Sequence, residues 1–380
     1  MTGGVIFEEL KCRENGYKIG VAILDNTPSL NALTFDMLTQ LNDMLIKWQD
    51  DDLIVSVFLD GAGDKAFCAG GDVRTMHNVM RDESKAGAQD FCTSYFTLEY
   101  QCDYLIHTYC KPIIGWGDGI VMGGGVGLYM GASHKVVTPK SRLAMPEISI
   151  GLYPDVGGTW FLNRLDDGIG LFLGLTGALV NASDAIDIHL ADYLLLSEHR
   201  GALLEQLQTT SWGSVDDHYA LVDELLGSVS LLAQGHKPES HLMPYFTQIQ
   251  NACAGEDLDA ISENILAIND KSTETEDKWL SRAKRTFIAG SPITAHICYR
   301  QLTQYHTLSL VDCFKLELNL SVRSGLLGEF QEGVRARLID KSGEPDWMFK
   351  AINQVDTELI DTLFTSLWPE GRHPLADLGK

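Results

Sequence analysis

Two carboxylates stand eight residues apart in an otherwise uncharged, apolar segment, Ala144-Met-Pro-Glu147-Ile-Ser-Ile-Gly-Leu-Tyr-Pro-Asp155-Val-Gly-Gly158. Apolar neighbours strip water from a carboxylate, which raises its pKa and basicity and suits it to proton transfer or nucleophilic attack. The plainer alternative is a pair of capping or turn residues in a segment bent by Pro and Gly. Two glycine-rich stretches come before it. In Lys65-Ala-Phe-Cys-Ala-Gly-Gly-Asp72 a strand-like run ends at Gly70 and Gly71, and in Gly119-Ile-Val-Met-Gly-Gly-Gly-Val-Gly127 another run opens into an apolar helix. N–H groups at a helix start have no intrahelical acceptor and sit at the positive end of the dipole. Two such groups from separate turns, aimed at one point, would form an oxyanion hole that stabilises a carbonyl oxygen as it gains charge. Glycine suits this because a ligand must approach the main chain closely. The alternative is that both stretches are merely tight turns.

The elements that must position these groups follow from periodicity. Val5 to Leu10 and Tyr17 to Leu24 flank Glu14-Asn15-Gly16, a hairpin signal that opens the chain in sheet. Thr34 is placed to cap a helix with the stripe Phe35, Leu38, Leu41, Leu45 and Trp48, and Ile54 to Leu59 reads as a buried strand. Ile113 to Trp116, a helix from Gly125 to Met130 and a strand from Lys135 to Thr138 repeat the order, which is that of an α/β layered fold. From about residue 195 strand-like runs give way to helical stripes separated by polar stretches such as Gln234 to Ser240 and Lys271 to Asp277. A boundary there separates residues 1–195 from a mostly helical region, 196–380, in which Leu308, Val311, Phe314, Leu318 and Val322 form a stripe expected in a core or subunit interface.

Composition narrows the function. The 380 residues are 45% hydrophobic and 21% charged, an ordinary globular balance. Lys and Arg number 29 against 52 Asp and Glu, and the resulting net charge of −23 argues against a nucleic-acid partner. The eight cysteines contain no C-x-x-C pair and imply a reducing compartment. Residues 1–20 resemble neither a secretory signal nor a transit peptide, and no apolar stretch is long enough to span a bilayer. The P-loop, the nucleophile elbow, the zinc helix and the dinucleotide fingerprint are absent, and the eleven histidines show no metal-ligand spacing; His107 and His296 read as surface or satisfied core residues.

In this order and spacing the three stretches resemble the enoyl-CoA hydratase/isomerase (crotonase) superfamily from about residue 5 to residue 195. The resemblance implies an α/β fold, a crotonase-like spiral of strand-strand-helix units, here with a helical C-terminal extension. It implies that the N–H groups of Gly71 and Gly124 hold the thioester oxygen of an acyl-CoA, and that Lys65, Ala66, Cys68, Ala69 and Gly71 run along the CoA. CoA is then part of the substrate, and no separate cofactor is expected. A hydratase of this superfamily uses two glutamates. Glu147 matches the second, but Gly127 stands where the first belongs, and Asp155 stands where hydratases carry Gly. That swap is similar to the 3-hydroxyisobutyryl-CoA hydrolase subfamily, as are Glu99 and the C-terminal runs Gly328-Glu-Phe-Gln-Glu-Gly-Val-Arg-Ala336 and Leu338-Ile-Asp-Lys-Ser.

The activity so implied is hydrolysis of a short branched β-hydroxyacyl-CoA, foremost 3-hydroxyisobutyryl-CoA as in valine catabolism. Glu147 would attack the carbonyl or activate water, Asp155 would bind the 3-hydroxyl or position the water, and Glu99 would seat the acyl group, so that Glu99, Gly124, Glu147 and Asp155 contact substrate. Two alternatives stay open: a hydratase or isomerase that uses Glu147 alone, and a non-catalytic acyl-CoA-binding protein. Arg74 and Lys111 are candidate phosphate neighbours against a plainer reading as solvated surface. Relatives often form trimers or hexamers, a packing that the long C-terminal extension could alter or block, so a homo-oligomer is one alternative and the sequence leaves the oligomeric state open. The expected location is the cytoplasm, or the mitochondrial matrix in a eukaryote.

Overall fold

The computed structural model describes residues 3–14, 16–214, 217–269, 278–369 and 371–380. Asn15 of the expected hairpin turn and the polar stretch Lys271 to Asp277 lie outside the described residues. Contacts divide the chain into two units, Met1–Gly71 with Cys102–Leu143 and Val180–Ser240, and Asp72–Gln101 with Ala144–Leu179 and His241–Lys380. The linear boundary at residue 195 does not coincide with this division, because the chain passes from one unit to the other several times.

The first unit is built on a sheet. β1 (Gly4–Lys11) and β2 (Lys18–Asp25) form the expected antiparallel hairpin, with Lys11 opposite Lys18. α1 (Phe35–Asp50) begins where Thr34 accepts the Met37 N–H at 3.1 Å. Its buried face is Met37, Leu38, Leu41, Leu45 and Trp48, and Trp48 meets Phe7 of β1 edge-on at 5.7 Å. Phe35, expected on that face, is exposed instead; it sits in the first turn, and Met37 is buried. β3 (Ile54–Gly61) is buried along almost its whole length, as a parallel strand covered on both faces must be. β4 (Ala66–Cys68), α2 (Val73–Asp82) and α3 (Lys85–His107) follow. Then come β5 (Ile113–Gly117), β6 (Ile120–Met122), α4 (Gly124–Gly131), β7 (His134–Val137), β8 (Arg142–Ala144), β9 (Val180–Asn181) and β10 (Tyr193–Leu194).

The larger sheet runs β1-β2-β3-β5-β7-β10, parallel after the opening hairpin, and a smaller one runs β4-β6-β8-β9 with parallel and antiparallel pairs. Phe58 and Trp116, with ring centroids 5.8 Å apart, anchor a core that includes Val21, Ile114, Val136 and, from the helices His199–Thr209 and His218–Ala233, Leu203, Leu207 and Leu226. After β10 every regular element among the described residues is helical, as the sequence implied.

The second unit is dominated by helices. Ser309 caps the helix Leu310–Leu327, which buries Phe314, Leu318 and Val322 as expected; Leu308 precedes the cap and lies outside the helix. His296 is satisfied through the Ile352 carbonyl, 2.9 Å from its Nε2.

Lys111 has a structural partner rather than a free head. Its Nζ donates to the Trp48 and Asp51 carbonyls, 2.7 Å each, at the C-terminal end of α1, where a cation is favoured and unpaired carbonyls need donors. Replacing Lys111 with Met keeps the aliphatic stem and removes both bonds. The expected loss in unfolding free energy is about 1 to 2 kcal/mol, read from the urea midpoint at neutral pH; an unchanged midpoint would leave Lys111 without this role.

Candidate active site

The two glycine turns belong to the first unit and meet there. β4 ends at Cys68, after which the Ala69 N–H donates to the Leu30 carbonyl at 2.9 Å and the Gly70 carbonyl accepts from Leu33 at 2.8 Å. Leu33 and Gly71 form an isolated parallel bridge, closed through the Gly70 carbonyl rather than the Gly71 amide. Gly123, at φ +50°, caps α4 in a conformation that a side chain would strain. A Cβ on Gly125 would lie 2.3 Å from the Cys68 carbonyl oxygen, so the first turn of α4 packs against β4 only because that residue is glycine. A Cβ on Gly70 would lie 3.7 Å from the Gly124 nitrogen, which measures how closely the two turns approach. Gly124 is the first residue of α4, so its N–H has no intrahelical acceptor. The rest of the helix is uncharged and, apart from half-buried Met130, buried, and the field at its positive end is weakly screened.

A cleft of about 440 Å³ opens beside the same loop, lined by Thr27, Leu30, Asn31, Gly63, Lys65 and Ala66 among others. Of the residues expected along a CoA, Lys65 and Ala66 line it. Cys68 is fully buried beneath α4, and Ala69 has its amide engaged by Leu30. Asn31 was not singled out from the sequence. Its Nδ2 donates to the Ala62 and Ala66 carbonyls at 3.0 and 2.9 Å, and its Oδ1 accepts the Asn26 N–H at 3.0 Å. With φ +60° it adopts the left-handed conformation that Asn tolerates better than most residues, which was the available signal.

The carboxylates belong to the second unit. A 3₁₀ turn, Glu147–Ile150, carries Glu147 and ends at Gly151 in the left-handed region. The Glu147 carboxyl is buried, and its Oε2 has no hydrogen-bond partner among the described residues. Burial first, then the nearby Asp155 and Glu99, hold its pKa well above the usual glutamate range. Glu99, on α3, is also buried and pushed well above that range by burial and by Asp155. Asp155 differs from both. Burial raises it to about 6, while the hydrogen bond from Tyr100 holds it lower than burial alone would. Glu99, Glu147 and Asp155 therefore form one electrostatic cluster in which not all members can be charged together.

Four partners of this cluster escaped the sequence reading: Tyr100, Tyr153, Glu317 and Ser321. Glu317, fully buried on the helix Leu310–Leu327, accepts the Gly157 and Thr159 N–H groups at 2.8 Å each. Burial pushes its pKa to about 8, against the lowering effect of those donors. The clamp begins at the residue after Val156, a β-branched residue at φ +50°, a strained conformation that persists only where its surroundings impose it. Glu317 and Ser321 lie on the face of the stripe Phe314, Leu318 and Val322. An acid and a hydroxyl on the buried side of a helix were the signal available.

The α/β architecture, with its two sheets and helical C-terminal region, is crotonase-like. It superposes with a TM-score of 0.81 on a carnitinyl-CoA dehydratase from Mycobacterium thermoresistibile, 28% identical and covering 96% of this chain and 97% of that one. An enoyl-CoA hydratase from Rhodobacter sphaeroides 2.4.1 gives 0.78 at 29% identity over the same shares. The family model described as enoyl-CoA hydratase/isomerase matches residues 19–364, and the chain belongs to that family. Among curated relatives, the mitochondrial 3-hydroxyisobutyryl-CoA hydrolase of Danio rerio is 34% identical over 353 residues, 92% of this chain and 88% of that protein. The family binds acyl-CoA, and this similarity marks the chain as an acyl-CoA-acting enzyme. No helix among the described residues is long and apolar enough to cross a membrane.

A buried carboxyl with a raised pKa makes stability depend on pH in a defined direction. Below the unfolded pKa both states hold the proton and the group contributes nothing; as pH rises, the unfolded chain releases the proton first and the native state loses stability. Glu147→Gln removes that penalty. The variant is expected to match the wild type near pH 4 and to be the more stable of the two at pH 8. Chemical denaturation at both pH values tests this, and a Gln protein that is less stable at pH 8 would contradict the raised pKa.

Proposed function

We propose that this enzyme hydrolyses the thioester of a short branched β-hydroxyacyl-CoA, with 3-hydroxyisobutyryl-CoA as the first substrate to test. The observation that carries the reading is the Glu147 carboxyl, buried with one oxygen unpartnered and flanked by a second carboxylate, Asp155, whose proton affinity is lower. Two titratable groups with separated pKa values divide acid and base work between them. The Gly71 and Gly124 amides are assigned to the carbonyl oxygen, and the cleft at Lys65 and Ala66 to part of the CoA.

The steps balance. Ionised Asp155 takes the proton of Glu147, and the freed Glu147 carboxylate attacks the thioester carbon. The C–S bond breaks, CoA leaves as thiolate, and protonated Asp155 returns a proton to the sulfur. Water then attacks the acyl carbonyl of the mixed anhydride, giving one proton to Asp155 and releasing the hydroxy acid. The proton on Asp155 returns to Glu147 and restores the starting state. If Glu147 activates water instead, the same proton path applies and the anhydride is skipped. Gly127 speaks against a two-glutamate hydratase, because it puts a hydrogen where the first of the two carboxylates would be and lies buried within α4.

Thiol release from 3-hydroxyisobutyryl-CoA, followed beside crotonyl-CoA hydration, tests the reading. Glu147→Gln should lower thiol release by at least about 10³-fold, in line with loss of an essential nucleophile or base. Gly124→Pro is the matching test of the oxyanion hole, because proline is tolerated at the first helical position yet removes the N–H. The expected loss is about 10²- to 10³-fold. Hydration without thiol release, or full activity in either variant, would overturn the assignment.

A further inference from the structure

Asp155 sits at the end of a chain of buried hydroxyls. Tyr100 Oη donates to Asp155 Oδ2 at 2.7 Å, Tyr100 Oη lies 2.6 Å from Ser321 Oγ, Ser321 Oγ lies 2.8 Å from Tyr153 Oη, and Tyr153 donates to the Glu317 carbonyl at 2.6 Å. Tyr100, Tyr153 and Ser321 are fully buried, so bulk water does not compete for these bonds. The chain is rigidly mounted. Tyr100 is on α3 with its ring 5.7 Å from that of Phe314, and Ser321 is one turn beyond Glu317, whose carboxylate clamps the segment that follows Asp155.

Counting hydrogens gives the chain a direction. Three hydroxyls serve four oxygen–oxygen contacts. With Asp155 ionised, Tyr100 spends its hydrogen on Asp155 and Tyr153 spends its own on the carbonyl, so the single Ser321 hydrogen must choose between its two neighbours. Pointing it at Tyr100 polarises that hydroxyl toward Asp155 and strengthens the terminal bond. Protonation of Asp155 would supply a fourth hydrogen and let the chain run the opposite way. A bond donated to a carboxylate is roughly twice as strong as one between neutral groups, so the direction that ends on ionised Asp155 is favoured.

The other charged and titratable groups facing this point are Glu99 from α3, Glu147 from the same segment as Asp155, and Glu317 from the helix Leu310–Leu327. Glu147 Oε2 has no donor at all among the described residues. We propose that Ser321 and Tyr100, with Tyr153 held beside them on the Glu317 carbonyl, are a positioning relay that aims one donor at Asp155 Oδ2 and thereby places the negative charge of the cluster on Asp155 and its protons on the glutamates. In turnover, and resting there on the hydrolase reading, this prepares Asp155 as the base that takes the Glu147 proton.

The test follows Asp155 directly. ¹³C-carboxyl NMR of aspartate-labelled protein, with Asp155 assigned by difference against Asp155→Asn, is recorded across pH for the wild type, Tyr100→Phe, Ser321→Ala and Tyr153→Phe, beside the pH profile of thiol release. The wild-type midpoint is expected near 6. Tyr100→Phe should raise it by about one pH unit or more, Ser321→Ala by less, and Tyr153→Phe least, with the acid limb of kcat/KM moving in step. An unchanged midpoint in Tyr100→Phe, or equal shifts in all three variants as general loosening would produce, overturns the relay. Should Tyr100→Phe fail to fold, the order of the two remaining variants decides. Shifted midpoints in a protein that releases no thiol would sink the hydrolase reading and leave the relay standing.

Discussion

Dehydrated carboxyl groups in mutual repulsion are the constraint on which the functional half of this structure turns. Glu99, Glu147 and Asp155 are all buried, and burial together with neighbouring acids, rather than a paired cation, governs their proton affinities. Such a cluster holds protons at a pH where exposed acids have lost them. It is unfavourable for stability above the usual carboxylate range, and sites of this kind persist where they serve chemistry. The strained Val156 and the buried Glu317 clamp fit the same pattern, since each spends stability on fixing the segment that carries Asp155.

The first unit meets a different demand, the close approach of backbone to backbone. β4 and the start of α4 come together only because glycine removes the side chain that would collide, and the helix so placed opens with the Gly124 N–H, which has no intrahelical acceptor, at its positive end. Donors fixed in this way need no reorganisation as charge develops, which is why backbone amides serve so often in acyl transfer. Asn31 extends the same economy to the neighbouring loop by tying the Ala62 and Ala66 carbonyls to one side chain.

What was legible in the sequence was local. Thr34 before an apolar stripe, glycines after a strand-like run, and carboxylates in an uncharged segment each carry their meaning within about ten residues, and the structure places the corresponding elements where expected. The failures are contacts between distant residues. Phe35 and Leu308 fit a helical period but lie at or before a helix start, where the period no longer dictates burial. Lys111 looked like a spare cation until α1 presented its carbonyls. Tyr100, Ser321 and Glu317 reach Asp155 and its turn only through the fold, so no spacing rule could have joined them.

The central claim is that Glu147 rests protonated in a buried site and gives up that proton only to act. Infrared difference spectroscopy of the resting protein at pH 7, wild type minus Glu147→Gln, reads this without substrate. The account predicts that the difference carries a protonated-carboxyl C=O stretch at the high frequency of a group in apolar surroundings. A difference showing only the paired bands of an ionised carboxylate would contradict it.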